Sequence, residues 1–305
     1  MPWFKGSLHT HTARSDGDIN VDGVVAWYAA RGYQWIAITD HNLGLAEDQA
    51  ERLSKAHKIL VLPGNELTGT GHVVGLGITR DYVTPARLRR ANVKDSLQKA
   101  VDWIRDQGGV PILAHPNWGN VYGADVIAKL RDCNLFEVHN AAPDCNTFAA
   151  GGMPGTDDIW DRALNLGVRL YGVGSDDAHH FLAEKFHAQH ATAHGGECST
   201  YVQCGQLTIP AILQALEAGR CVASSGAHPV KVGVAGKKYV VEIDDPYPHF
   251  HFTTEFIGPD GVLAIAHGRK VSFTMHRSQQ WVRARVFCSS GKYLWTQPVW
   301  RDAAP

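Results

Sequence analysis

The sequence predicts an α/β fold in which a barrel of alternating strands and helices spans residues 1–225 and a small antiparallel β-sandwich spans residues 226–305. Short apolar runs alternate with helical patterns from Trp3 to about residue 222, and this alternation indicates parallel strands joined by helical crossovers. Polar residues follow nearly every apolar run at its end. After Pro229 the helical patterns stop, and β-type runs separated by turn signals follow, as in a sandwich.

The elements of the first region are predicted from the period of their apolar residues. The strands are predicted at Trp3–Leu8, Trp35–Thr39, Ile59–Leu62, His72–Ile78, Val110–Ala114, Leu135–Val138 and Arg169–Val173. The helices are predicted at Val21–Ala30, Ala46–Ala56, Val93–Asp106, Ala124–Leu130, Asp158–Leu166 and Ile209–Gly219. Gly32, Gly108 and Gly167 each follow one of these helices, where glycine commonly ends a helix.

The second region reads as short strands without helices. Its strands are predicted at Val230–Val234, Lys238–Ile243, His249–Phe256, Val271–Met275, Trp281–Phe287 and Tyr293–Pro298. The segments Asp244-Asp245-Pro246 and Gly258-Pro259-Asp260-Gly261 supply turn signals between them, so we expect antiparallel hairpins.

The position of the polar residues favours a barrel over an open sheet. In an open doubly wound sheet, only the strands beside a switch point contribute to a site. In a barrel, the carboxyl ends of all strands surround one mouth, where such enzymes place their chemistry. Candidate residues follow almost every predicted strand here, so we expect them to meet at one mouth.

Composition fits a globular enzyme of ordinary surface chemistry. The chain has 305 residues, 44% of them hydrophobic and 19% charged, with a net charge of −1, which gives no sign of a polyanion-binding surface. The six cysteines form no CxxC pair, so we expect reduced thiols. No apolar run has the length of a membrane span and no signal peptide is recognised, so we expect a cytoplasmic protein.

Seventeen histidines stand out in this composition, because imidazole is the commonest metal ligand. His9 and His11 follow the first strand two residues apart and should point the same way. Asp16 lies in the next turn, where it could be a ligand or a helix cap. His41 follows the second strand, and the preceding Asp40 could orient it or bind metal itself.

Further candidates follow the later strands. Glu66 is the candidate bridge, because a carboxylate can bind two cations at once and a neutral imidazole cannot. His72 opens one apolar run, where a structural histidine is an alternative to a ligand. His115 ends another run before Pro116, which fixes the turn.

Asp177 and His179 form a second pair with alternate spacing, with Asp176 as the competing carboxylate. Together these residues exceed the three or four ligands of a single zinc site. The sequence therefore predicts two or three divalent metal ions, with Mn²⁺, Zn²⁺ and Fe²⁺ all compatible with nitrogen and oxygen ligands.

These motifs resemble those of the PHP (polymerase and histidinol phosphatase) superfamily. The matching segments, in family order, are His9-Thr10-His11, Ser15-Asp16-Gly17, Thr39-Asp40-His41, Gly64-Asn65-Glu66, His72-Val73-Val74-Gly75-Leu76, Ala114-His115-Pro116 and Ser175-Asp176-Asp177-Ala178-His179. The resemblance implies a distorted (β/α)7 TIM-like barrel that holds three metals. The extra aspartate departs from the family's Ser-Asp-x-His pattern, and its Asp-x-His spacing makes Asp177 the ligand. Leu207–Ser225, the β-module and Trp295–Trp300 look like the carbamate-hydrolase-like branch.

The resemblance also implies how the ligands divide. The first metal would take His9, His11, Glu66 and Asp177, the second Glu66, His72 and His115, and the third Asp16, His41 and His179. Glu66 would then bridge the first two metals.

The expected function is metal-dependent hydrolysis of a small phosphomonoester or phosphodiester by a hydroxide that bridges the metals. Glu66 and Asp40 are candidate catalytic residues as well as candidate ligands. Arg14 is a candidate clamp for a phosphate oxygen, with an exposed loop charge as the alternative interpretation. His139 is a candidate general acid or substrate contact.

One alternative is hydrolysis of a carbamate, ester or amide at the same site, and a second is an inactive metal-binding module. The expected partner is a small molecule, with nucleic acid only as a small nucleotide or oligonucleotide substrate, and a homo-oligomer is compatible with the sequence. Specificity is expected to come from loops 79–92, 117–123, 141–156 and 180–206, of which the last could be a lid.

Overall fold

The computed structural model describes residues 1–85, 91–182, 193–276 and 278–300. Its strands are β1 (Trp3–Ser7), β2 (Trp35–Ile38), β3 (Leu60–Leu67), β4 (Val73–Leu76), β5 (Val110–Leu113), β6 (Leu135–Asn140), β7 (Tyr171–Ser175), β8 (Ser199–Gln203), β9 (Cys221–Ser224), β10 (His228–Ala235), β11 (Lys238–Asp244), β12 (Phe252–Gly258), β13 (Gly261–His267), β14 (Lys270–Thr274), β15 (Trp281–Cys288), β16 (Tyr293–Thr296) and β17 (Val299–Trp300). Its helices are α1 (Val21–Ala29), α2 (Glu47–His57), α3 (Val93–Arg105), α4 (Ala124–Ile127), α5 (Thr156–Asn165) and α6 (Ile209–Glu217). Within these ranges no helix is both long and apolar enough to cross a membrane.

Helix α3 forms where the sequence supplies both an apolar stripe and a cap. In α3, the buried side chains of Leu97, Val101 and Ile104 recur at helical spacing, so one face packs against the sheet and the other meets solvent. Asn92 caps this helix by accepting a hydrogen bond from the backbone N–H of Asp95 at 3.0 Å, which satisfies one of its free amide groups.

The predicted α/β class is confirmed, and the central sheet is mixed rather than uniformly parallel. The pairs β1–β2, β2–β3, β5–β6 and β6–β7 are parallel. Strand β4 runs antiparallel to both of its neighbours, β3 and β5. On the other side of β1, β8 and then β9 are also antiparallel. These two strands were not predicted, and β8 lies within the 180–206 segment, which reads as a loop rich in histidine and glycine.

The predicted barrel is not closed by a backbone ladder among the described residues. The order of the sheet ends at β7, which pairs with β6. Side chains satisfy the free edge of β7 instead. Thr200 exchanges hydrogen bonds with the backbone of Gly174 at 2.7 and 2.9 Å, and Gln297 does the same with Gly172 at 2.6 and 2.8 Å. The backbone groups of Gly172 and Gly174 are thereby paired at the edge of β7 opposite β6.

Short contacts beyond the strand ends draw the carboxyl ends together. A parallel bridge joins Thr10, just after β1, to Ala178, just after β7. His11 donates its backbone N–H to Ala178 O at 2.8 Å. A second parallel bridge joins His41 to Glu66. These contacts bring segments that are distant in sequence to one end of the sheet.

The strands after residue 226 are antiparallel and belong to two sheets. Strand β16 pairs with β9, so the central sheet continues through β15, β12 and β13. Strands β10, β11 and β14 form a separate three-stranded sheet. Buried residues of both sheets, including Val241, Phe256 and Ala284, share one apolar cluster. Because the central sheet crosses residue 225, the division into two domains at that point stays a prediction.

Candidate metal centre

The nine predicted metal ligands lie together at the carboxyl end of the sheet. Seven of them line a cavity of about 600 Å³, here called the central cavity: Asp16, His41, Glu66, His72, His115, Asp177 and His179. His9 and His11 are fully buried, and both contact the lining residues Glu66 and Asp177.

The first group of ligand atoms is compact. The two Nε2 atoms of His9 and His11 are 3.2 Å apart, and each lies 3.3 Å from Glu66 Oε2. Asp177 Oδ1 is 3.2 Å from His9 Nε2 and 3.1 Å from His11 Nε2. Ligands bonded to one cation at the usual lengths are roughly 3.0–3.4 Å apart. Two ring nitrogens that face each other at this distance fit a shared cation.

Glu66 lies between two groups of rings. Its Oε2 atom faces His9, His11 and His41, whose Nδ1 lies 2.8 Å away. Its Oε1 atom lies 2.9 Å from His72 Nδ1 and 3.1 Å from His115 Nε2. Each carboxylate oxygen therefore faces a different set of nitrogens, which is the geometry a bridging ligand needs.

The third group surrounds Asp16, which is half exposed. Its carboxylate lies 3.4 Å from His41 Nε2 and 3.4 Å from His179 Nε2. His11 Nδ1 is also 3.5 Å from Asp16 Oδ1, so the structure adds His11 to the three residues that the resemblance implied for this group.

Histidine rings supply the positive charge that faces the buried carboxylates of this cluster. Burial alone would raise the pKa of Glu66, but the rings of His9 and His72 hold it well below its usual range. The same holds for Asp177, whose pKa is lowered by His9 and by the hydrogen bond from His11. Within the described residues, the buried atom His11 Nδ1 has no hydrogen-bond partner, and such an atom is costly unless something binds it. Glu66 Oε2 lies among three imidazole nitrogens, those of His9, His11 and His41, so the donor set fits divalent cations.

Two of these residues occupy unusual backbone conformations. His115 has φ of 25° and Asp177 has φ of 50°, a region that non-glycine residues rarely adopt. Each such residue costs on the order of 1–3 kcal/mol, and strain of this kind concentrates at functional sites. Here it aims both side chains into the cluster.

Glu137 was not among the predicted site residues, although it is central to the arrangement. Its Oε1 atom accepts a hydrogen bond from His9 Nδ1 at 2.7 Å, which turns Nε2 of that ring inward. Its Oε2 atom accepts from the backbone N–H of His115 and from Asn140 Nδ2, both at 2.8 Å. The signal available in the sequence was its place near the end of an apolar run.

A bulge in β6 separates His139 from the ligands. The register shifts between Glu137 and His139, so the simple alternation that would place both side chains on one face fails. Asn140 instead joins Glu137, and it also donates to Asp177 Oδ2 at 3.1 Å. His139 lines a second, smaller cavity. Burial lowers its pKa to about 4, so it is neutral at pH 7 and a weak proton donor there.

Asp40 and Arg14 support the loop around Asp16. Asp40 accepts hydrogen bonds from Thr12 N at 2.7 Å and Ser15 Oγ at 2.8 Å, and it holds this loop rather than the ring of His41. Arg14 donates to Gly44 O at 2.7 Å and lies 3.6 Å from Asp40. It is absent from the lining of the central cavity.

Asp176 faces away from the cluster. It accepts hydrogen bonds from Tyr28 Oη at 2.7 Å, Gly196 N at 2.9 Å and Cys198 N at 2.6 Å. It therefore anchors the segment that leads into β8, and of these two adjacent aspartates only Asp177 lies in the cluster. Residues 183–192 of the predicted lid, and residues 86–90 of loop 79–92, lie outside the described residues.

Comparisons with known proteins agree with the fold. The chain is 27% identical over 125 residues to an uncharacterized protein of Methanocaldococcus jannaschii, covering 37% of this chain and 68% of that one. It is similar in structure to a two-domain Bacteroides vulgatus protein containing a predicted PHP-like metal-dependent phosphoesterase, with a TM-score of 0.50 and 14% identity over 97% of this chain and 87% of that one.

An amidohydrolase from Chromobacterium violaceum with bound sulfate and no metal is also similar, with a TM-score of 0.44 and 19% identity over 71% of this chain and 96% of that one. No protein-family model matches the chain. The Bacteroides structure thus shows a shared fold.

Proposed function

We propose that this protein is a metal-dependent hydrolase of the PHP type that cleaves a small phosphate ester. The observation that carries the proposal is the position of Glu66, whose two oxygens face separate groups of imidazole nitrogens. A structural cluster would need no such division.

The residues would hold two or three divalent cations. His9, His11 and Asp177 would hold the first with Glu66, and His72 and His115 would complete the second. Asp16, His41 and His179 would hold a third, with His11 beside them. Bound there, the cations would supply Lewis acidity, lower the pKa of water and offset the charge of a phosphate group.

The protein's own residues prepare this site. Glu137 fixes the orientation of His9 through Nδ1 and ties the backbone of His115 to the same carboxylate. Trp118, 41% exposed, places its ring 5.1 Å from that of His72 at the side of the cavity. It offers an apolar wall for the part of the substrate that does not react.

Two observations bear on the substrate. The Bacteroides protein of shared fold contains a predicted phosphoesterase, which supports a phosphate ester. However, no lysine or arginine lines the described part of the central cavity, and Arg14 is turned to a backbone carbonyl. Phosphate sites usually include such a group, so an uncharged carbamate, ester or amide is the second candidate.

A matched assay tests the proposal. The protein is stripped with chelator, reloaded with Mn²⁺, Zn²⁺ or Fe²⁺, and given nitrophenyl phosphate, bis-nitrophenyl phosphate and a nitrophenyl carbamate at equal concentration. We expect activity only after reloading, with the phosphate substrates turned over fastest. Faster turnover of the carbamate would favour the second candidate, and no turnover of any of them would contradict the proposal.

A further inference from the structure

A second cavity lies beside the central one, and none of the nine predicted metal ligands lines it. It has a volume of about 250 Å³, and we call it the lateral cavity. The segment after β6 forms one side, and the turn between β15 and β16 forms the other. The lining residues that matter here are His139, Asn140, Ala142, Phe148, Lys292 and Tyr293.

Aromatic rings form the walls of the lateral cavity. Phe148 is 55% exposed, which is high for so large an apolar side chain. Its ring centroid lies 5.6 Å from that of Tyr293 and 5.6 Å from that of His139. Behind His139, the indole of Trp295 stacks at 4.9 Å with an interplanar angle of 23°. These rings present faces on which another planar ring can stack.

His139 adds an unsatisfied polar group to these walls. Its side chain is only 8% exposed, and Nδ1 has no hydrogen-bond partner within the described residues. Stacking on Trp295 fixes the ring, and a neutral imidazole can both donate and accept a hydrogen bond. A buried polar ring held without a partner is costly, and a ligand with one polar atom would relieve that cost.

The two cavities are neighbours. Ala142 lines both of them. Asn140, which lines the lateral cavity, donates to Asp177 Oδ2 in the ligand cluster. A substrate could therefore have its reacting group at the cluster and the rest of its structure in the lateral cavity.

Size and charge limit what the lateral cavity can take. A cavity of about 150 Å³ is enough to hold benzene, so 250 Å³ suits one substituted ring or a fused pair. Its rim carries both Lys292 and Glu197, which pair at 3.0 Å, so no single charge dominates. The surroundings favour a neutral planar ring with one hydrogen-bonding atom.

From this arrangement we infer that the lateral cavity binds a planar aromatic group of the substrate, stacked on Phe148 and hydrogen-bonded to His139. That the bound group is part of a substrate rests on the proposed function. It also gives the C-terminal strands a role, because Lys292 and Tyr293 supply one wall of the pocket.

Binding of phenol to the whole protein, stripped with chelator, tests the inference apart from any hydrolysis. Phenol and cyclohexanol share a hydroxyl group and ring size, and they differ in planarity. Isothermal titration should show saturable binding of phenol that is several-fold tighter than that of cyclohexanol. One stacking contact corresponds to a factor of roughly 2–12 in Kd, so Phe148→Ala should weaken phenol binding by about that factor.

The controls locate the binding and keep the test decisive. Ile265→Ala, at an exposed residue of β13, should bind phenol as the wild type does. Phe148→Leu keeps an apolar side chain without an aromatic face and should behave like Phe148→Ala. His139→Leu should also weaken binding, with His139→Gln restoring part of it.

Binding that survives both Phe148 variants, or that is lost instead in Trp118→Ala, would overturn the inference. Phenol binding at the lateral cavity in a protein that hydrolyses nothing would leave the pocket in place and contradict only the proposed function. Hydrolysis by a protein that does not bind phenol would contradict the inference about the lateral cavity and leave the proposed function in place.

Discussion

Two buried polar clusters in this molecule differ in how their charge is balanced. One surrounds Glu66 at the central cavity. The other joins α5 to β15, where Arg283, fully buried, makes two hydrogen bonds to Asp161 at 2.6 and 2.8 Å and lies 3.2 Å from Asp157. Arg285 adds a hydrogen bond to Asp157 at 2.8 Å. In this second cluster, permanent cations face carboxylates.

The Glu66 cluster has no such cation among the described residues. Its carboxylates face imidazoles, and the Nε2 atoms of His9 and His11 face each other at 3.2 Å. The Arg283 cluster contains its own permanent cations, whereas the Glu66 cluster gains positive charge only when its imidazoles are protonated or a cation binds. The contrast separates a cluster that supports the fold from one prepared to bind something.

The largest effect on stability should come from breaking the Arg283 cluster. Arg283→Met removes the cation and leaves the Asp157 and Asp161 carboxylates partly buried without it, at a cost of about 3–5 kcal/mol. Arg162→Met is the matched control, because Arg162 and Asp125 pair on the surface and such pairs contribute less than about 1 kcal/mol. Urea unfolding measures both, and equal losses would contradict the contrast.

The next effect concerns metal affinity rather than folding. Glu137→Gln removes the carboxylate that orients His9 while keeping its shape, and it should weaken metal binding by roughly 10- to 100-fold. Titration of the stripped protein with Zn²⁺ measures this. Glu47→Gln, on the exposed side of α2, is the control and should bind Zn²⁺ as the wild type does. An unchanged Zn²⁺ affinity in Glu137→Gln would show that Glu137 does not orient a metal ligand.

A smaller effect should appear on the acid side of the stability profile. Burial lowers the pKa of His139 to about 4, against about 6.5 in the unfolded chain. The unfolded state therefore binds more protons between these values. The contribution of neutral His139 is complete above pH 6.5 and is lost as pH falls toward 4.

This loss should reach about 2 kcal/mol between pH 7 and pH 5. His139→Phe keeps a ring beside Trp295 and should have a correspondingly flatter slope in urea unfolding over that range. His267→Phe, on the exposed side of β13, should keep the wild-type slope. If His139→Phe loses stability as steeply as the wild type, His139 is not buried and neutral as described.

Much of the fold could be predicted from the sequence, because the apolar period marks most strands and helices locally. Helix α3 occupies Val93–Arg105, one residue short of its predicted end. The antiparallel β8 was missed because its polar and β-branched residues resemble the loop before them. The side chains of Thr200 and Gln297, rather than a strand, satisfy the free edge of β7. Because both residues lie far from β7 in sequence, no local pattern could show that the sheet stays open there.

The candidate site was predictable to the extent that strand ends converge. Residues such as His9 and His115 follow apolar runs, and the topology alone brings them together. Glu137 and His139 show the limit, since a bulge between them reverses the expected faces. The role of Asp176 required the positions of Gly196 and Cys198, which are fixed only in the folded chain.

The metal content of Glu66→Gln beside the wild type tests the central claim most directly. Both proteins are purified without chelator and measured by elemental analysis, with circular dichroism to show that both are folded. We predict at least two divalent ions per wild-type chain and at least one fewer in Glu66→Gln. Fewer than one ion per wild-type chain, or equal content in the two proteins, would contradict the account.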